Sequence, residues 1–350
     1  MIVRNRRIDK KSADEFIFAK LSGKLRKSFA GERTKLLFEP KNLSELWTLL
    51  FNSPSPLVPE TMLAQKIETE AYNRFFSDYT DLVSLYDKPS PVVIDFLCEY
   101  EVENLKLVLA ALCNDEQKMP PIADLHDFAQ CNFAKWPDIQ KITQETQFEW
   151  LNSVPDIHNI NQIDFKLDIQ VIRHLWKSLE HESGEIKSVL EDLFYTEFII
   201  KNVVWMLRLK IFYKMDNTQI AERLIYVTSK ADEKDPVAGP VIHLLNLPLD
   251  EYDAWSHWKY HDLLNPFEPG IPWKINPLWI EKKNRVKLTH KAISYFHQYP
   301  MSVCTLVTWN KIKDYELSCI RAAVERIRLN IEPSEAMKTV GIPQDGGANG

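Results

Sequence analysis

Apolar side chains recur at helical spacing along most of this chain, and one stretch sets the pattern for the others. Over residues 96–112, FLCEYEVENLKLVLAAL, apolar positions fall at Val102, Leu105, Val108, Leu109 and Leu112, a period near 3.6 that predicts an amphipathic helix. Glu101 and Asn104 stand on the same turns, where a plain packing helix would carry Ala or Leu. The stretch recurs. Residues 194–210 overlay it at a displacement of 98, matching Phe96 to Phe194, Glu99 to Glu197 and Asn104 to Asn202. Residues 311–327 overlay it at 215, matching Glu101 to Glu316, with Leu317, Ile320, Val324 and Ile327 on the apolar positions. Three like helices about a hundred residues apart predict a chain built three times over: 1–120, 121–230 and 231–350.

Other segments fill in an all-α fold. Residues 12–29 open on a Ser/Asp cap signal and place Phe16, Ala19, Leu21 and Leu25 at helical intervals, with Lys24, Arg26 and Lys27 near the negative end of the dipole. Helices are also expected at 43–51, 59–85, 163–183, 216–229 (an Asn/Thr cap and an amphipathic run), 289–299 and 303–330. Residues 236–280, dense in Pro and Trp, read as irregular. The tail PQDGGANG reads as a flexible end.

Composition narrows the function classes. The 350 residues suit two or three domains of roughly 100–150 residues. Only nine are glycine, near a third of the usual share of about 7 %, which argues for long helices and few hairpins. The twenty prolines cluster in connectors. The net charge of −6 is uneven: residues 1–35 hold eleven Lys and Arg against four acids, whereas 236–272 hold Lys259 alone against Asp250, Glu251, Asp253, Asp262 and Glu268. A basic N-terminus without a basic domain does not make a nucleic-acid binder, and the bipolar pattern suits protein partners as well as plain solvated surface. No segment carries the roughly 20 near-continuous apolar residues of a membrane span. The charged N-terminus MIVRNRRIDKK is no signal peptide, and the five cysteines form no CxxC pair, so the cytoplasm is the expected compartment.

Candidate chemistry is thin. The phosphate-cradling and nucleophile-elbow glycine motifs do not occur. His257 and His261 are four apart with Asp262 beside them, a zinc-like spacing if helical. No third ligand is identifiable, and His among aromatic residues and prolines more often caps or stacks, so no metal, cofactor or catalytic residue is assigned. Glu180, His181 and Glu182 read as a solvated turn, and Asp250, Glu251 and Asp253 as a surface loop rather than paired catalytic acids. The polar residues on the repeated helices are the stronger candidates: Glu101, Asn104, Glu197, Asn202, Arg208, Glu316 and Arg321. Either they satisfy backbone and loop groups where helices meet, or they line a concave surface that holds another protein. The two readings are compatible.

At these residues a resemblance enters. FIFAKLSGKLRKSF (16–29) resembles the first helix of the V-type and A-type ATPase C subunit, called subunit d in eukaryotic pumps. EYEVENLKLVLAAL (99–112) resembles that family's most typical stretch, and DYELSCIRAAVERIRLNIEPSEAM (314–337) its C-terminal helix. Cys319 stands where the family typically has Asn, and Ala111 and Cys113 replace a frequent basic residue, as in a divergent bacterial member. The resemblance implies three helical units around a pseudo-threefold axis, funnel-shaped. It implies a non-catalytic central-stalk subunit, a socket joining the central shaft to the membrane rotor ring for ATP-linked proton or sodium transport. Such a subunit sits peripherally on the cytoplasmic face of the membrane, and the seven polar residues become candidates for shaft or ring binding. From the residues alone, a helical-repeat scaffold binding a soluble partner is the alternative, and a metal-dependent hydrolase using His257, His261 and Asp262 is third.

Overall fold

The structure, a computed structural model, describes residues 7–342. Helix accounts for 64 % of it, and the described residues contain no strand, so the fold is all-α. In chain order the helices are α1 (Lys10–Leu25), α2 (Leu43–Phe51), α3 (Glu60–Val83), α4 (Pro91–Cys113), α5 (Ile139–Thr143), α6 (Ile160–Ser178), α7 (Gly184–Phe212), α8 (Asn217–Ala221), α9 (Gly239–Ile242), α10 (Pro277–Gln298), α11 (Val303–Leu329) and α12 (Pro333–Thr339). The tail 343–350 lies outside the described residues.

Local chemistry explains most helix ends. At α2 the Asn42 side chain accepts the Glu45 N–H, while the Glu45 carboxylate reaches back to Lys41 N, and the helix stops at Asn52 in the left-handed region (φ 50°). At α10 the Asn276 carbonyl oxygen accepts from Leu278 and Trp279 N–H, and Pro277 occupies the first helical position, where its missing N–H costs nothing. That start lies twelve residues before the expected 289, because the Pro-rich run ends in a cap and not in a loop.

Two further expectations are corrected. The run 216–229 is helical only over α8. Its cap is Asp216, in a reciprocal box with Gln219, and the chain leaves the helix so that Ile225 can be held elsewhere. On α1 the buried face is Ala13, Asp14, Ile17 and Leu21, while Phe16 is 50 % exposed and Ala19 is exposed. With Phe16, Ile17 and Phe18 in succession, the pattern does not choose a face. Packing does, and Phe18 lies against Phe296 with ring centroids 5.5 Å apart.

The chain divides into two compact units: residues up to Lys10 with Phe76–Lys187, and Lys11–Phe75 with the chain from Ser188 onward. In the first, α4 packs on α6 and the segment 131–151, around Val102, Leu105, Leu109, Phe148 and Leu167. At the start of α4, Ser90 Oγ donates to Glu182 Oε1, and Lys10 pairs with Glu182 at 3.7 Å. Glu182 is therefore buried and not solvated, unlike the exposed Glu180 and His181.

In the second unit α10 and α11 pack along each other. The N-terminal segment 29–71 shares a core with α11, α12 and Ile342, through Leu37, Leu46, Ile67, Cys319 and Val324. The Pro/Trp stretch has a clear task here. Trp255, Trp258, Tyr260 and Trp273 form an aromatic cluster over Val203, Leu207 and Leu209 of α7. Trp255 Nε1 donates to Pro248 O at 2.8 Å and Trp273 Nε1 to Asn265 O at 3.0 Å, so these two buried indoles have their donors met.

Candidate functional site

The polar positions on the repeated helices are loop anchors. Asn104 Oδ1 accepts the Ala123 N–H and its Nδ2 donates to the Ala123 carbonyl, both at 2.8 Å. The amide thus clasps both backbone groups of one residue, as a strand neighbour would. Asn202 does the same to Ile225, at 2.7 Å and 2.8 Å, with a further bond to Val237 O at 3.4 Å. The match of Asn104 to Asn202 in sequence is a match of device in space.

The glutamates follow a parallel logic. Glu101 is fully buried, and its Oε1 accepts the N–H groups of Gln130 and Cys131, each at 2.6 Å. Burial raises its pKa above the ordinary carboxylate value, while those backbone bonds pull the other way. Glu316, also buried, accepts from Phe29 N at 3.1 Å, from Ser28 Oγ and from Lys313 Nζ at 2.6 Å. It ties the end of the α1 segment to α11. No asparagine clasp accompanies it. Cys319 is buried beside Tyr315, and burial pushes its thiol up to about 12, so it packs as an apolar group.

The other three candidates form ion pairs, with Glu197 part-buried and Arg208 and Arg321 reaching solvent. Glu197 pairs with Lys311 of α11 at 2.8 Å and Arg208 with Glu281 of α10 at 2.6 Å. Arg321, 71 % exposed at its side chain, pairs with Glu68 of α3 at 3.4 Å. A cleft of about 180 Å³ opens at the last pair, lined by Tyr72, Arg285, Asp314 and Ser318 among others. Arg285 donates to Ser318 Oγ there at 2.8 Å. Of the seven, then, Glu101, Asn104, Asn202 and Glu316 are committed to internal backbone or side-chain groups, Glu197 is part-buried against Lys311, and Arg208 and Arg321 are open to solvent.

One anchor escaped the sequence reading. Asp235 is buried, with Oδ1 accepting from Val237 and Ala238 N–H at 2.9 and 2.8 Å. Its Oδ2 accepts from Val227 N at 2.9 Å, Thr228 N at 2.8 Å and Thr228 Oγ at 2.7 Å. The available signal was an Asp–Pro pair just before the Ala–Gly–Pro start of α9, a side-chain cap in the making. The metal candidates do not converge. His261 Nδ1 sits 3.1 Å from Trp258 O, His257 Nδ1 3.1 Å from Ser256 Oγ, and Asp262 pairs with Lys287 at 2.6 Å. Among the described residues no three His, Cys, Asp or Glu side chains are grouped to hold a metal. Asp250, Glu251 and Asp253 are exposed. No helix among the described residues is long and apolar enough to cross a membrane.

The chain is thus an all-α protein whose long helices hold their own loops by buried amides and carboxylates. The family model of the ATP synthase (C/AC39) subunit matches residues 19–339, and the chain belongs to that family. It is the family of a non-catalytic subunit of the V/A-type ATPases. The chain is also 25 % identical over 320 residues to a Treponema pallidum (strain Nichols) protein named only as an uncharacterized protein, covering 91 % of this chain and 94 % of that one.

Proposed function

We propose that this subunit is a central-stalk socket of a V/A-type rotary ATPase, coupling the central shaft to the membrane rotor ring during ATP-linked proton or sodium transport. The observation that carries the reading is the family match over residues 19–339, nearly the whole chain. In this reading the units 1–120, 121–230 and 231–350 are three related walls around a pseudo-threefold axis, funnel-shaped. The subunit lies peripherally on the cytoplasmic face of the membrane. A part that carries torque must be stiff, and close-packed helix interiors have low compressibility. The anchors at Asn104, Asn202, Glu101, Glu316 and Asp235 support this, since each removes freedom from a loop that would otherwise flex under load.

Direct grip on a partner falls to Arg208 and Arg321, while Glu197 braces α7 on α11 through Lys311 and Glu101, Asn104, Asn202 and Glu316 hold the loops that they anchor. The test is to purify the tagged full chain from native membranes under mild detergent. Co-purification with shaft subunits and the rotor ring is the expected result. Recovery with a soluble partner alone, and with no rotor component, would mean a free-standing helical scaffold instead.

A further inference from the structure

The C-terminal turns of α7 carry a face that the second unit leaves partly exposed. Lys201, Trp205, Arg208 and Phe212 fall at i, i+4, i+7 and i+11, one stripe of the helix. Earlier residues on the same line, Phe194 and Phe198, are buried, so the stripe opens only over the last turns. Phe212 is 68 % exposed and Trp205 36 %. The 2.6 Å bond from Arg208 to Glu281 places the first turns of α10 alongside. There Leu278, one turn before Glu281 on the same side, is 49 % exposed. Trp, Phe and Arg around a desolvatable pair are the residue types that dominate protein–protein hot spots.

Charge selects the occupant. Residues 201–212 contain Lys201, Arg208 and Lys210 and no acid, and 277–288 contain Lys282, Lys283, Arg285 and Lys287 against Glu281 alone, in a chain of formal charge −6. Lys210 is engaged by Leu245 O, and Lys283 and Lys287 by Asp262. Glu281 is taken by Arg208, which leaves Lys201 and Lys282 without a carboxylate among the described residues. From Lys201 to Phe212 the stripe runs roughly 16 Å, about three helical turns.

We propose that this stripe, with Leu278, docks an amphipathic helix of the central shaft that presents apolar side chains flanked by carboxylates. The inference rests on the central-stalk reading and adds the surface and the chemistry of its partner. An apolar helix face seats between Trp205, Phe212 and Leu278, and its acids meet Lys201 and Lys282. An anionic lipid surface is the less favoured occupant, because half-buried Trp205 and the Arg208–Glu281 pair give a flat, partly neutralised face and not a deep apolar wedge.

Retention of the co-expressed shaft subunits by the immobilised full chain tests this, with circular dichroism and thermal melts confirming the fold of each variant. W205A/F212A weakens retention by about tenfold or more. K201E, at an exposed side chain with no internal partner, weakens it several-fold and reduces its salt dependence, while K118E, exposed in the first unit, leaves it unchanged. If the wild type retains the shaft and W205A/F212A and K201E do so equally well, the surface is wrong and the central-stalk reading stands. If the wild type retains no shaft, both fall. If the wild type binds phosphatidylglycerol-containing vesicles, and W205A/F212A loses that binding but keeps the shaft, the stripe is a membrane contact and the inference is overturned.

Discussion

The two units solve one problem with different atoms. Each has a long helix from which an asparagine clasps a single residue of a following loop: Asn104 on Ala123 in the first, Asn202 on Ile225 in the second. Each also needs a carboxylate to gather the remaining loop N–H groups. In the first unit it comes from the helix itself, as Glu101, three residues before the asparagine. In the second, the position 98 residues after Glu101 is Ile199, buried in the aromatic core, and the carboxylate comes from the loop as Asp235. A helix-borne acid holds two donors from one side. A loop-borne acid at the centre of its own turn holds donors on both sides.

That contrast predicts unequal costs. Asp235→Ala removes the acceptor of four backbone N–H groups, two of them buried and two part-buried, and is expected to cost about 4 kcal/mol in urea unfolding. Glu101→Ala strands two and is expected to cost about 3 kcal/mol. Equal losses would mean that the loop around Asp235 finds water or re-pairs, and the difference between the units would be one of geometry only.

The asparagine clasps sharpen the comparison from the other side. Asn104→Ala and Asn202→Ala each remove a two-bond clasp on one residue, and each is expected to cost about 2 kcal/mol. A markedly larger loss at Asn202 would show that its third contact, to Val237 O, ties it into the Asp235 network. Both side chains are buried and bond only internal groups, so retention at constant folded fraction is expected to stay level.

The smallest effect is one of pH. Burial raises the Glu101 pKa from its ordinary 4.5, so the folded state holds this proton more tightly than the unfolded chain. Its contribution is full below 4.5 and declines as pH rises towards the folded value, since there the folded state binds more protons. Glu101→Gln, which keeps an acceptor for Gln130 and Cys131, removes that decline and flattens the stability profile just above pH 4.5. A profile unchanged by the substitution would mean that the two short N–H bonds offset burial.

Helix positions were largely legible in the amino-acid pattern. The runs around 96–112, 194–210 and 311–327 became parts of α4, α7 and α11, because apolar periodicity and the lack of internal Gly and Pro act within a few turns. The faces were less so: on α1, three consecutive large apolar residues left the choice to Phe296, far along the chain. The odd polar positions stood out against their apolar stripes, yet their partners did not, and Asp235 had no stripe to stand out from.

By itself, then, the sequence determined the all-α class, the place of its long helices and the three helices on which a polar side chain interrupts a buried face. Those are short-range matters of φ/ψ preference, capping and period. The tertiary structure decided which atoms those side chains meet, since Asn104 closes on a residue 19 positions away, Asn202 on one 23 away and Glu316 on one 287 away. It also decided which candidates remain at the surface, by burying Glu101 and Glu316 and leaving Arg208 beside Trp205 and Phe212. A hydrogen bond depends on placement within a few tenths of an ångström, and across such separations only the packed core provides it.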